Sequence, residues 1–353
     1  MFTKRKEQNY LKPNPKTIGL DYTFDEFNEM PYRRLGNSGL RISNVGLGTW
    51  KFGLPETGDG ARVDKESGLK ILDAAIIEGV TFWDTANRYN NSSGNSERVI
   101  GEWIKANSGM RNSVVVATKL FGATDGATPN HCGLSRTNIL ESTYASLERL
   151  QTDYIDLMFF HAYENDTPVE ESLMAIEDLI SQDLIRYFGV SNFTVENIEL
   201  YKKYSDLFKR SKIQVVQNRY DILHKESEDF KGVLEYCVEN KISFIPWGPL
   251  RQGLLTERYL DKSKVGKGDR LFDENVLDTE LTSEIQDKLK SLADVAHKYD
   301  MTLQTQTIAY MLTLQAMGSM IVASSTPEQL KENAKGGKIK LNEEHIKEIE
   351  KLL

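Results

Sequence analysis

The chain has 353 residues, with 44 lysines and arginines against 52 aspartates and glutamates, and a formal net charge of −8. An acidic balance excludes a general nucleic-acid or anionic-membrane binder, because affinity for phosphates needs an excess of basic side chains. Two cysteines, Cys132 and Cys237, exclude a disulfide scaffold and a cysteine-based metal centre, and no run approaches the ~20 apolar residues of a membrane span. A cytoplasmic globular protein with reduced thiols is expected, and the length fits two ordinary domains or one large α/β barrel.

Residues 1–30 read as a polar arm: a basic start (Lys4, Arg5, Lys6, Lys12, Lys16) with no apolar core or small-residue cleavage site, so not a signal peptide. From residue 31 a hairpin is expected around the turn residues Gly36, Asn37 and Ser38. Strands then alternate with helices. The expected strands lie at 44–50, 81–86, 113–120, 154–161, 186–192, 214–220, 242–248 and 319–324. The expected helices lie at 66–77, 96–106, 135–150, 168–180, 194–204 and 226–239, then near 282–298 and 303–314 after a long polar loop. A last amphipathic helix places Ile346, Ile349 and Leu353 on one face.

Strict alternation predicts a parallel sheet covered by helices, and apolar runs such as VVVATK and LMFF suit strands buried on both faces. Eight strands, with no Gly-x-Gly-x-x-Gly turn after the first, favour a closed barrel over an open doubly wound sheet. The expected fold is therefore α/β: a single (β/α)8 TIM barrel over 31–353, closed at its bottom by the hairpin and carrying an extra C-terminal helix.

In such a barrel the chemistry sits where strands end. The second strand ends in Asp84, with Tyr89 a short turn later; the third ends in Lys119 and the fourth in His161. Charges beside an apolar core must be paired, and these four groups converging on one mouth meet that need. Tyrosine has a reference pKa of ~10, and a nearby ammonium favours its phenolate and makes it a usable acid. Asp84 would keep Lys119 charged, and His161 would orient a substrate oxygen. The set suits proton delivery to a carbonyl oxygen as hydride reaches carbon. The alternatives are a structural Asp84–Lys119 pair, a Tyr89 that only covers the mouth, a satisfied core His161, and a Schiff-base Lys119 as in an aldolase, which leaves the remaining strand ends unexplained.

With FWDTANRY (82–89), VVATK (115–119) and DYIDLMFFH (153–161), together with RLGNSGLRISNVGLGTW (34–50), GVSNF (189–193), QNRY (217–220), PWGPLRQGLL (246–255) and ASSTPEQLKEN (323–333), the sequence resembles the aldo-keto reductases from about residue 32 onwards. The resemblance implies reversible reduction of aldehydes or ketones with a nicotinamide cofactor and without a metal. Carried over by motif, the tetrad is Asp84, Tyr89, Lys119 and His161. Ser191, Asn192 and Gln217 would bind the carboxamide, Trp247 would stack on the nicotinamide, and Thr49 and Trp50 would lie between cofactor and substrate. Gly248, Pro249, Leu250, Gln252 and Gly253 resemble the loop that approaches the pyrophosphate. Ser325, Gln329, Glu332 and Asn333 fit the adenosine segment.

The sequence departs from the pattern in two places. Ala323 and Gln329 stand where many members have cations for the 2′-phosphate, so Arg258 and Arg270 are expected to supply that charge, with NADP favoured and NAD possible. Asn90 replaces a frequent glycine and opens the insertion NNSSGNSE, in which Asn95, Ser96 and Glu97 are expected to cap the next helix. Trp50, Phe52, Trp83, Phe121 and Tyr163 are candidates for an aromatic substrate pocket that would suit sugars or apolar aldehydes. Two other functions fit the same resemblance: a sugar dehydrogenase working oxidatively, and a cofactor-binding partner protein like a potassium-channel beta subunit, for which the arm 1–30 is the only support.

Overall fold

The computed structural model describes residues 25–57, 59, 61–208 and 210–353. Most of the expected arm, residues 1–24, lies outside the described residues. Its last described residues include β1 (Glu26–Phe27), which pairs antiparallel with β2 (Met30–Arg34), and Met30 is fully buried. β2 pairs in turn with β3 (Arg41–Ser43). The β2–β3 turn is pressed against the barrel bottom. Gly36 has φ +54°, a Cβ there would lie 2.2 Å from the Gln214 carbonyl oxygen, and its N–H donates to Ser243 Oγ at 2.7 Å. Only glycine satisfies both the backbone angle and that approach.

Eight parallel strands follow: β4 (Val45–Gly48), β5 (Phe82–Asp84), β6 (Val115–Leu120), β7 (Ile155–Phe160), β8 (Ile185–Ser191), β9 (Ile213–Asp221), β11 (Ser243–Trp247) and β12 (Met320–Ala323). They pair in chain order, and β12 returns to β4, so the barrel is closed. A two-residue strand, β10 (Lys225–Glu226), pairs antiparallel with β9. Successive side chains of a strand point to opposite faces, and that period orders the interior. Phe82, Ala117, Leu157, Phe159, Val215, Ile245 and Ile321 cluster inside with Leu35 and Ile42 from below. Two residues further along the same strands come Asp84, Lys119, His161, Gln217, Trp247 and Ala323. Gly189 joins the lower layer: a Cβ there would meet Val215 at 2.5 Å and Phe159 at 2.7 Å, and Ser191 lies two residues on. The apolar layer is thus the floor of the polar one.

Outside the barrel lie α1 (Lys65–Ile77), α2 (Tyr89–Ser92), α3 (Asn95–Ala106), α4 (Arg136–Leu150), α5 (Val169–Ser181), α6 (Val195–Ser205) and α7 (Val233–Asn240). Two short turns, α8 (Arg270–Asp273) and α9 (Leu277–Glu280), sit in the long segment after β11. α10 (Ser283–Lys298), α11 (Leu303–Met311), α12 (Pro327–Lys338) and α13 (Glu343–Glu350) complete the chain. Side-chain oxygens cap the first turns of α1 (Asp64), α4 (Ser135), α6 (Thr194), α10 (Thr282), α11 (Thr302), α12 (Thr326) and α13 (Asn342), which fixes where each helix starts.

Two expectations are corrected. The helix expected over 226–239 begins at Val233, because Gly232 adopts φ +85° and the Glu226 carboxylate accepts from Gly232 N and Leu234 N at 3.0 and 2.7 Å. Asn95, Ser96 and Glu97 do not cap α3. Its cap is Gly94 at φ +67°, Ser96 donates to the Phe52 carbonyl, and Glu97 is buried against Arg149 at 2.6 Å. Asn90 is also explained: its φ of 62° is one that asparagine tolerates, and its side chain bridges Leu54 N and O.

Candidate active site

Lys119 is fully buried, and its three N–H groups all have acceptors: Asp84 Oδ2 at 2.6 Å, the Thr85 carbonyl at 2.9 Å and the Tyr89 hydroxyl at 3.0 Å. Gln217 Nε2 donates to the other Asp84 oxygen at 2.9 Å. β5, β6 and β9 thereby hold one carboxylate, one ammonium and one amide in a rigid chain ending at the phenol. His161, one residue past β7, faces Tyr89 with ring centroids 5.8 Å apart at 75°. Its Nδ1 is buried and without a hydrogen-bond partner among the described residues.

Burial pushes the Tyr89 phenol above its usual 10, and Asp84 adds to this; Lys119 pulls the other way and is outweighed. This corrects the expectation of a lowered phenol pKa. Burial disfavours the Lys119 ammonium, but Asp84 and Tyr89 overcome it and hold the pKa above 10.5. His161 is pushed well below 6.5 by burial, then by Lys119 and Arg88, so it is neutral at physiological pH. The site therefore holds a protonated phenol, a charged lysine and a neutral imidazole.

Around it lies a set of amide, hydroxyl and aromatic groups. Ser191 Oγ donates to the Gln217 carbonyl at 2.8 Å, and Asn192 Nδ2 donates to the His161 carbonyl at 2.8 Å. Trp247 Nε1 donates to Asn192 Oδ1 at 3.1 Å, which fixes an indole that is still 37 % exposed at the barrel mouth. The indole thus leaves part of its surface open at a strand end, with amide groups beside it. Gly248, Gln252 and Gly253 all have positive φ in the turn after β11, which also holds Pro249 and Leu250. The Gln252 side-chain oxygen is buried without a partner among the described residues.

At β12 the exposed Ala323 leads to Ser325, whose N–H is accepted by Gln329 Oε1 at 2.8 Å, while Asn333 Nδ2 donates to Ser324 Oγ at 3.2 Å. Glu332 is engaged elsewhere: it accepts from the Thr302 and Thr305 hydroxyls and pairs with Lys335. Thr49 is fully buried and donates its hydroxyl to the Asp84 carbonyl at 3.0 Å, bracing β4 against β5.

The expected cations divide. Arg258 is bidentate on Asp269 at 2.5 and 2.9 Å, so its charge is matched by a carboxylate. Arg270 donates to Glu274 and lies over the Trp50 ring at 4.6 Å. Lys51, beside Trp50, is the residue the sequence reading missed. Its Nζ reaches Ser325 Oγ at 3.3 Å, and no carboxylate pairs with it among the described residues. Burial, then Arg270 and Arg62, push its pKa down to about 8 against an opposing pull from Glu274. Lys51 is thus a half-buried cation beside two arginines that are themselves paired with Asp273 and Glu274.

The aromatic candidates also divide. Trp83 is fully buried and packs edge-on against Trp103 at 4.7 Å, with its N–H on the Val80 carbonyl. Phe52 is fully buried against α1 and α3, beside Gly68 and in the cluster that holds Val99. Neither lines a pocket: Trp83 alternates with the inward Phe82 and Asp84, so it must face the helices. Trp50 and Phe121 are half-buried at strand exits, and Tyr163 packs on Phe193 at 5.5 Å.

Residues 44–353 match the model of the aldo/keto reductase family. The chain belongs to the aldo-keto reductase family. It is 35% identical over 246 residues, 64% of this chain, to the aldo-keto reductase AMT2 of Alternaria alternata, and 34% identical over an equal span to the aldo-keto reductase AFTS1 of the same organism. These matches cover 66% of each relative's length. It is 30% identical over 340 residues, 91% of this chain and 96% of the relative, to the versiconal hemiacetal acetate reductase of Aspergillus parasiticus. The family acts on small carbonyl compounds, and the versiconal hemiacetal acetate reductase is matched over almost its whole length. Among the described residues no helix is long and apolar enough to cross a membrane.

Proposed function

We propose that this aldo-keto reductase reversibly reduces aldehydes or ketones to alcohols with NADP(H). The observation that carries the reading is the Asp84–Lys119–Tyr89 chain, at 2.6 and 3.0 Å, opposite a neutral His161. A carbonyl oxygen between the phenol and the imidazole accepts from both. The hydride would come from a dihydronicotinamide bound beside Trp247. As negative charge develops on the oxygen, the Tyr89 O–H bond breaks and the proton moves to that oxygen, giving the alcohol. Lys119 stabilises the phenolate left behind, and Asp84 keeps Lys119 charged. The reverse reaction uses the same groups in the opposite order.

Ser191, Asn192 and Gln217 suit the carboxamide and Trp247 the ring face, while the turn 248–253 offers glycines and backbone N–H groups to the pyrophosphate. What favours NADP is Lys51, which reaches Ser325 and has no carboxylate partner among the described residues; Arg62, Arg258 and Arg270 are each paired with a carboxylate. The test is Tyr89→Phe, assayed for NADPH oxidation with an aldehyde panel and for NADPH binding by fluorescence. Turnover should fall about 10²–10⁴-fold, the usual worth of a general acid, with cofactor binding kept. Unchanged turnover would remove Tyr89 from the role.

A further inference from the structure

Arg88 lies immediately before Tyr89, and consecutive Cα atoms are only ~3.8 Å apart. It therefore leaves β5 beside the proton donor. Its stem rests on the loop after β6: a Cβ added to Gly122 would contact Arg88 Cβ at 3.3 Å and Cδ at 3.4 Å. Its head is 3.8 Å from Asp59 Oδ1, beyond hydrogen-bond reach, and the other Asp59 oxygen accepts from Asn91 N at 3.1 Å. The Arg88 side chain is 43 % exposed.

Nearby arginines differ. Arg62 is held by Asp273 at 3.0 Å, Arg251 by Asp221 and Glu280, Arg258 by Asp269 and Arg270 by Glu274. Arg88 makes no comparable bond among the described residues, so its guanidinium keeps its donors. Its charge acts at both reacting groups, disfavouring imidazolium at His161 and favouring phenolate at Tyr89. The carboxylate nearest to it among the described residues is that of Asp59, at 3.8 Å, and the neighbouring catalytic Asp84 is committed to Lys119 and Gln217.

We propose that Arg88 is a specificity residue that selects carbonyl substrates carrying a carboxylate, which it binds while Tyr89 and His161 hold the carbonyl oxygen. A single guanidinium fork presents two parallel N–H groups that match one carboxylate in geometry and charge. The proposal rests on the carbonyl-reductase reading above.

The test compares 3- and 4-carboxybenzaldehyde with their methyl esters. Wild-type kcat/KM should favour the carboxylate by about 10–100-fold, the usual range for hydrogen bonds to charged groups. Arg88→Gln should bring the ratio towards one through KM, Arg88→Lys should keep part of it, and Asp59→Asn should raise it. A wild-type ratio at or below one for both isomers, or a ratio unmoved by Arg88→Gln, overturns the proposal. Calorimetric binding of 4-(hydroxymethyl)benzoate and its methyl ester to NADP+-loaded enzyme reads the same contrast without turnover. Loss of that contrast sinks Arg88 alone, whereas absent turnover of every aldehyde with the contrast intact sinks the catalytic reading alone.

Discussion

A phenol can deliver a proton at neutral pH only if it still holds one when the hydride arrives, and burial ensures this for Tyr89. Its pKa lies above the usual 10 and that of His161 well below 6.5, so neither group changes charge between pH 6 and pH 9. Reduction measured as kcat/KM at saturating cofactor should therefore be flat across that range and fall only as the phenol ionises at higher pH. An inflection near 6.5 that vanishes in a His161 variant would contradict the neutral imidazole. Lys51 behaves differently. In the free enzyme it loses its proton around pH 8, and the protonated form is the one that attracts phosphate. NADPH affinity should weaken as pH rises through 8, and Lys51→Met should weaken binding at pH 7 and abolish that dependence in fluorescence titrations.

Between one element and the next, the two-residue period of the strands decides which side chains react and which pack. Asp84 faces the mouth and Trp83, its neighbour, faces Trp103 on α3. Removing a buried indole of this kind typically costs ~3–5 kcal/mol. Trp83→Ala should thus lower the unfolding midpoint strongly in thermal melts, while folded protein keeps its KM for aldehyde; a raised KM at unchanged stability would return Trp83 to the pocket. The alternation was readable along the chain, since 82, 84, 117, 119, 159 and 161 all follow it. The aromatic candidates were chosen by residue type, which ignores that period. The α3 start was misread for another reason. Asn95-Ser96-Glu97 has capping chemistry, but Glu97 is claimed by Arg149, 52 residues away.

Across the whole molecule a net charge of −8 coexists with a positive barrel mouth. Lys51 and Arg88, after β4 and β5, meet no carboxylate at hydrogen-bonding distance among the described residues, whereas Arg62, Arg251, Arg258 and Arg270 are matched by Asp273, Asp221 with Glu280, Asp269 and Glu274. A local field of this kind steers an anionic cofactor against an unfavourable total charge and is screened beyond a Debye length of ~8 Å at physiological salt. The association rate for NADPH, measured by stopped-flow fluorescence, should fall several-fold from 50 to 500 mM salt, with a smaller change in the Lys51→Met variant. A rate indifferent to salt would mean that the cluster does not guide the cofactor.

The sequence alone determined the closed eight-stranded barrel, its bottom hairpin and the convergence of Asp84, Tyr89, Lys119 and His161, because hydrophobic period, strand–helix alternation and strand ends are local properties of the chain. Only the tertiary structure decided which cations keep their charge available. Arg258 meets Asp269, Arg251 meets Asp221, and Lys51 and Arg88 meet no carboxylate at hydrogen-bonding distance among the described residues. Ion pairing joins residues far apart in the chain, and burial sets what each pair is worth, so a count of charges could not separate a matched arginine from one open to a ligand.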